Sequence, residues 1–212
     1  MAGDFFAPVT KRLCGLAFNK NVGRKDSESE RPVSSNNSNN HLKYGKGKTM
    51  QNFRKKELIR CYRENKQDRC KECRLPQPAT RLPNGIEENI EALVDNVLDP
   101  ARRKYGKAIT VNSGFRCPLH NQTVGGAYQS QHVKGEAADI TAGLPGENLK
   151  LARIIATNGK WDQMILYVNS ADSLEPRFVH VSWKKDGGNR RVILKQVRGT
   201  SGYQKVNICE FK

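Results

Sequence analysis

Long apolar runs are missing. No stretch of this 212-residue chain approaches the roughly 18–20 apolar residues of a membrane-spanning helix, so no span is expected. Bulky apolar residues are scarce as well: hydrophobic types make up 36% and mean hydropathy is -0.73, which points to a modest core and a large polar remainder. Aromatics reach only 7%, and no strand gathers them, which argues against nucleic acid recognised by base stacking. Acids are short against bases, 21 to 37, leaving a net charge of +16 that favours polyanionic surroundings. The opening "MAGDFFAPVTKRLCGLAFNKN" lacks the basic, apolar, small-residue order of a secretory leader. Second pairs of metal-binding cysteines are absent too. Cys70 and Cys73 form a lone CxxC, Cys61 offers a third sulfur without a convincing fourth ligand, and the six cysteines are expected to be thiols in a reducing compartment.

What is present divides the chain. Residues 1–48 are rich in Ser, Asn, Lys and Gly and read as a disordered basic arm. Residues 49–80 are densely charged; Phe53, Leu58, Ile59 and Tyr62 recur at near-helical spacing, so a short amphipathic helix and linker are expected. The domain proper is expected over 81–212. There, Ile86, Ile90, Leu93, Val94, Val97 and Leu98 form one helical stripe, with Asn84 as cap and Glu87 completing a capping box. "AITVNSG", "AADIT", "WDQMILYV", "RFVHVSW" and "RRVILKQV" read as strands, and "ENLKLARIIATNG" as a helix stopped by Gly159. The expected fold is α+β, a small mainly antiparallel sheet with helices packed on one face.

Three side chains carry the chemistry. On a strand, His180 of "FVHVSW" points away from Val179 and Val181 and shares a face with Phe178 and Ser182. His132 and Asp139 sit in "SQHVKGEAADI", where Gly135, Ala137 and Ala138 let the backbone bend so both reach one ion. Two imidazoles and one carboxylate suit a catalytic zinc ion, leaving a fourth position open.

"SGFRCPLHNQTVGGAYQSQHVKGEAADI", followed by "FVHVSW", resembles the M15 peptidases, which include zinc D-alanyl-D-alanine carboxypeptidases and phage L-alanyl-D-glutamate endolysins and share a fold with the hedgehog signalling domain. Ser130, His132, Gly135, Ala137, Asp139 and His180 match the family pattern S-x-H-x-x-G-x-A-x-D and its distal histidine. The resemblance covers residues 80–196. It implies one zinc ion held by His132, Asp139 and His180. It also implies Arg116 on a substrate carboxylate or the scissile carbonyl, and Ser130 holding the peptide or capping its own turn. Asn121, Gly125 and Gly126 would shape the site, and His120 would lie at the surface. One departure stands out. Relatives place an acid three residues before the last histidine or at the end of the preceding strand, where this chain has Arg177 and Tyr167. Glu175 is therefore expected as the general base, with Asp162 the other candidate or a group orienting a ligand histidine.

The expected activity is zinc-dependent cleavage of the peptide stems of bacterial peptidoglycan, as carboxypeptidase or endopeptidase. The chain would act as a monomer at the cell wall or periplasm, after release from the cytoplasm or carriage on a virion, as a phage or prophage lysis enzyme. A catalytically inactive zinc module binding wall peptides or a protein partner is the competing expectation.

Overall fold

The computed structural model describes residues 50–61 and 82–210, all within one compact unit, Lys48–Lys212. The expected arm, Tyr62, Cys70 and Cys73 lie outside the described residues. The order is α1 (Lys55–Leu58), α2 (Ile86–Leu93), a π-helical turn (Val94–Leu98), α3 (Asp99–Tyr105), β1 (Ile109–Ser113), α4 (Pro118–Thr123), β2 (Ala137–Ala142), α5 (Asn148–Asn158), β3 (Gln163–Val168), β4 (Phe178–Ser182), β5 (Val192–Val197), β6 (Gln204–Lys205) and a closing 3₁₀ turn (Ile208–Glu210).

The strands form one sheet in the order β1-β2-β4-β3-β5-β6. Every pairing is antiparallel except β3 with β5. The fold is thus α+β, as the sequence implies. Strand alternation sorts the side chains. Ala138 and Ile140 of β2, Met164 and Leu166 of β3, and Val179 and Val181 of β4 are buried in the core cluster with Ile90, Leu93, Leu98, Leu151 and Ile155 of the helices. The intervening residues, Asp139, Ile165, Tyr167, Phe178 and His180, turn to the other face and line a cleft.

The long helical stripe runs through 86–105, with two corrections. Its cap is Gly85, at φ 81°, and no side chain caps the helix, so the expected Asn84–Glu87 capping box does not form. A left-handed glycine takes the turn that an asparagine cap would have made. Midway, the π-helical turn accommodates Pro100, which has no N–H for the carbonyl of Asn96. That carbonyl instead accepts from Asn158 Nδ2 at 3.2 Å, tying the helix to the end of α5.

Residues 50–61 join the same core rather than forming a linker helix. The helix is one turn, because Ile59 leaves it for a parallel bridge to Phe115. Phe53, Leu58 and Cys61 are buried. The buried carboxylate of Asp99 accepts from the backbone N–H of Gln51 at 2.7 Å and of Asn52 at 3.0 Å. Cys61 Sγ lies 3.2 Å from the Cys117 N–H and 3.8 Å from His120 Nδ1, so His120 packs inward on α4 rather than standing at the surface. Cys61 and Cys117 are thiols. Cys209 is disulfide-bonded, which departs from the reading of every cysteine as a thiol.

A second buried acid braces the sheet. Asp162 is fully buried and accepts from the Arg190 backbone N–H at 2.7 Å, from Arg190 Nη2 at 2.6 Å and from Gln131 Nε2 at 3.0 Å. Burial opposes its ionisation, but the bonds and charge of Arg190 outweigh burial and hold the carboxyl below the usual range. A depressed folded pKa means stability present above about pH 4 and lost as pH falls through the folded value. Asp162→Asn leaves the Arg190 guanidinium without its counter-ion and is expected to lower stability by about 2–4 kcal/mol at neutral pH. In thermal melts from pH 7 to pH 2, the gap between wild type and variant should close towards the acid end.

Candidate metal centre

The register of two strands builds half of the site. β2 and β4 pair so that Asp139 stands directly opposite His180, both on the cleft face. His132 arrives from the tight turns between α4 and β2. Its position depends on Gly135, at φ 71°, where an added Cβ would lie 2.9 Å from the Ile86 carbonyl oxygen. The loop is therefore pressed against the first turn of α2, and no other residue fits that approach without displacement.

The three side chains converge. His132 Nε2 lies 3.1 Å from Asp139 Oδ1 and 3.0 Å from His180 Nδ1, and His180 Nδ1 lies 2.9 Å from the same Asp139 oxygen. All three residues are buried. Their candidate ligand atoms all fall within 4.8 Å of one another. Tetrahedral ligation by nitrogen and oxygen at about 2.0–2.1 Å separates neighbouring ligand atoms by about 3.3 Å, so a few tenths of an ångström of opening admits a cation.

Protonation agrees with ligation. His132 Nδ1 lies 2.7 Å from the Gly114 carbonyl oxygen, which can only accept, so Nδ1 carries the proton and Nε2 presents its lone pair to the cluster. Burial lowers the pKa of His132 and outweighs the opposing pull of Asp139, keeping the ring neutral. Burial also disfavours the Asp139 anion, but the two histidines more than offset it and hold the carboxyl well below the ordinary range. Two imidazoles and one carboxylate gathered in a buried pocket make a donor set that suits a divalent cation.

The other expected residues separate into two groups. Arg116 lines the cleft, with Nη2 donating to Asp139 Oδ2 and Nε to Ser113 Oγ at 2.8 Å. Its first contact is thus a carboxylate of the candidate metal centre. Ser130 also lines the cleft, and its Oγ accepts from the His132 N–H at 3.3 Å, so it caps its own turn. Asn121 closes the preceding loop through Nδ2 to the Ala127 carbonyl at 2.9 Å, and its side chain fills the space that any Cβ at Gly126 would need.

The two acids expected as base are not brought to the cluster. Glu175 accepts from the Asn148 N–H at 2.6 Å and the Leu149 N–H at 3.4 Å, sitting at the start of α5. Those N–H groups have no partner within the helix, and a carboxylate there also complements the helix dipole. Asp162 faces Arg190, with Gln131 linking it to the His132 turn.

The cleft encloses about 570 Å³ and draws on residues that the motif does not mark. Gln163, Tyr167, Leu194 and Gln196 come from alternate positions of β3 and β5, a placement readable once those strands are known to share a face with His180. Tyr203, from the segment before β6, has no sequence signal that would place it there.

Comparison with known proteins follows this geometry. Residues 51–182 match the Peptidase M15 family, well over half of the chain. The chain belongs to the peptidase M15 family. It is also 55% identical over 40 residues to the zinc D-Ala-D-Ala carboxypeptidase of Streptomyces albus G. That segment is 19% of this chain and 16% of the Streptomyces protein, so the likeness is local. The family match begins at residue 51, where the described N-terminal segment enters the core. Among the described residues, no helix of this M15 chain is long and apolar enough to cross a membrane.

If the M15 triad is the metal site, purified protein should carry one divalent ion per chain by elemental analysis. His180→Ala should carry none and melt lower, because the ion ties β4 to the His132 turn. His120→Ala, outside the cluster, should keep the full complement.

Proposed function

We propose that the chain is a zinc-dependent peptidase that cuts the peptide stems of bacterial peptidoglycan. The observation that carries this reading is the buried triangle of His132 Nε2, Asp139 Oδ1 and His180 Nδ1, with sides of 2.9–3.1 Å, opening on a cleft large enough for a short peptide. The M15 membership and the Streptomyces zinc carboxypeptidase support it. When bound, zinc supplies Lewis acidity, polarising a scissile carbonyl and lowering the pKa of a water molecule towards about 7.

The protein's own groups supply the rest. His132 and His180 present ring nitrogens, and Asp139 supplies a carboxylate oxygen. Arg116 fixes the free oxygen of Asp139 and so sets the carboxylate's rotation. The Arg190–Asp162–Gln131 network steadies the turn that carries His132. The cleft is lined with amides and hydroxyls from Gln129, Ser130, Gln131, Gln163 and Gln196, donors and acceptors suited to a peptide backbone. The excess of positive charge favours retention on an anionic wall. A chain of this composition fits a phage or prophage lysis enzyme that reaches the wall after release or on a virion.

A second reading has its own observation. Among the described residues lining the cleft, Asp139 is the only carboxylate, so an acid free to take a proton from water is lacking there. A zinc module that binds wall peptides without cutting them would show this pattern. Digestion of purified peptidoglycan, with mass analysis of the fragments, separates the two. New free termini within the stem peptides support the peptidase; unchanged fragments together with metal-dependent binding support the module. Within the peptidase reading, Glu175→Gln should retain kcat within about twofold and lose some thermal stability, since its oxygens serve α5. A loss of roughly 10²–10⁴ in kcat at unchanged zinc content would return Glu175 to the role of base.

A further inference from the structure

Tyr167 stands in the cleft with its ring held against a neighbour. It pairs with Phe178 across β3 and β4, two residues along from the Ile165–His180 pair, so its ring rises on the same face as the metal ligands. Its ring stacks on Phe178, centroids 4.4 Å apart and planes 16° from parallel. Two residues of strand advance by about 6.6 Å, which a tyrosine side chain leaning along the sheet can span. The ring lines the same cleft as Asp139, Arg116 and Tyr203. Tyr203 lines the same cleft from the opposite side of β5.

Several neighbouring groups have partners within the protein. Arg116 Nη2 and Nε serve Asp139 and Ser113, and Gln131 Nε2 serves Asp162 and Glu136. Ser130 Oγ accepts from the His132 N–H. A phenol hydroxyl carries one proton that it can donate. Burial first, then Tyr203 and the Asp139 charge, push the Tyr167 pKa upward, so the group stays a protonated donor at any working pH.

We propose that the Tyr167 hydroxyl donates a hydrogen bond to the carbonyl oxygen of the scissile peptide as that oxygen gains negative charge, a role that rests on the peptidase reading. Tyr167 keeps its proton throughout. Water adds through its oxygen to the carbonyl carbon, the C–N bond breaks, and the proton from water ends on the departing amine. A preorganised donor at the oxyanion acts more strongly on the transition state than on the ground state, so its signature is in kcat rather than KM.

The test is Tyr167→Phe in the full chain, assayed on a purified stem peptide with zinc content and melting temperature measured alongside. The ring remains and stays stacked on Phe178; only the hydroxyl goes. Expected are a fall in kcat of roughly 10²–10³, KM within about twofold, and unchanged zinc content and melting temperature. Tyr203→Phe, which changes the cleft lining but keeps the Tyr167 hydroxyl, should lower kcat by only a few fold. Wild-type kcat in Tyr167→Phe overturns the role, as does a loss confined to KM or accompanied by lost zinc. A wild-type protein that turns over no wall peptide overturns the peptidase reading and this role with it, an outcome distinct from an active wild type with an equally active Tyr167→Phe.

Discussion

The pairing of β2 with β4 constrains nearly everything else. Asp139 opposite His180 puts a carboxylate and an imidazole side by side on one face. On the other face the same register buries Ala138, Ile140, Val179 and Val181 against the helices. A one-residue slip would send both polar groups into the apolar core and the valines into the cleft. Hydrophobic burial thus enforces the geometry of the candidate metal centre on the opposite face. The helical layer is the mould, and the pleat transmits its demands to the opposite face.

Electrostatics then concentrates polar groups at this centre. Two histidines and an aspartate face one another within about one hydrogen-bond length in a buried setting, with Arg116 on the outer oxygen of the aspartate. His132 has its tautomer fixed by the Gly114 carbonyl, and Gly114 is itself pressed against the Leu58 backbone. The N-terminal segment therefore reaches the centre through two contacts: Leu58 backs the turn that orients His132. A similar brace runs from Asp162 through Gln131 to the same turn. The site is carried by strands and tied turns, and its supports lie on three sides.

Much of this was legible in the sequence, for identifiable reasons. Strand alternation around His180 gave its face, and the small residues after Gly135 marked a chain bending to bring His132 to Asp139. What escaped depended on contacts between distant segments. Nothing local distinguishes Glu175 as the acid at the start of α5 from a loop acid near a metal, because Asn148 lies far away in sequence. Asp162 reads as a strand-entry residue until Arg190 is folded over it. The capping box at Asn84 failed because the next residue, Gly85, offered a cheaper left-handed turn. The charged segment after Met50 looked like a linker because its apolar residues are few; Phe53, Leu58 and Cys61 nonetheless fill the space beside Phe115 and Cys117.

The central claim is that one zinc ion sits among His132, Asp139 and His180 at the floor of the peptide cleft. Anomalous diffraction collected on either side of the zinc absorption edge, from crystals grown without added metal, addresses it directly. The account predicts a single strong peak about 2.0–2.2 Å from His132 Nε2, His180 Nδ1 and an Asp139 oxygen, with the remaining position facing the cleft. No peak there, or a peak held by other side chains while these three remain hydrogen-bonded to one another, would contradict it.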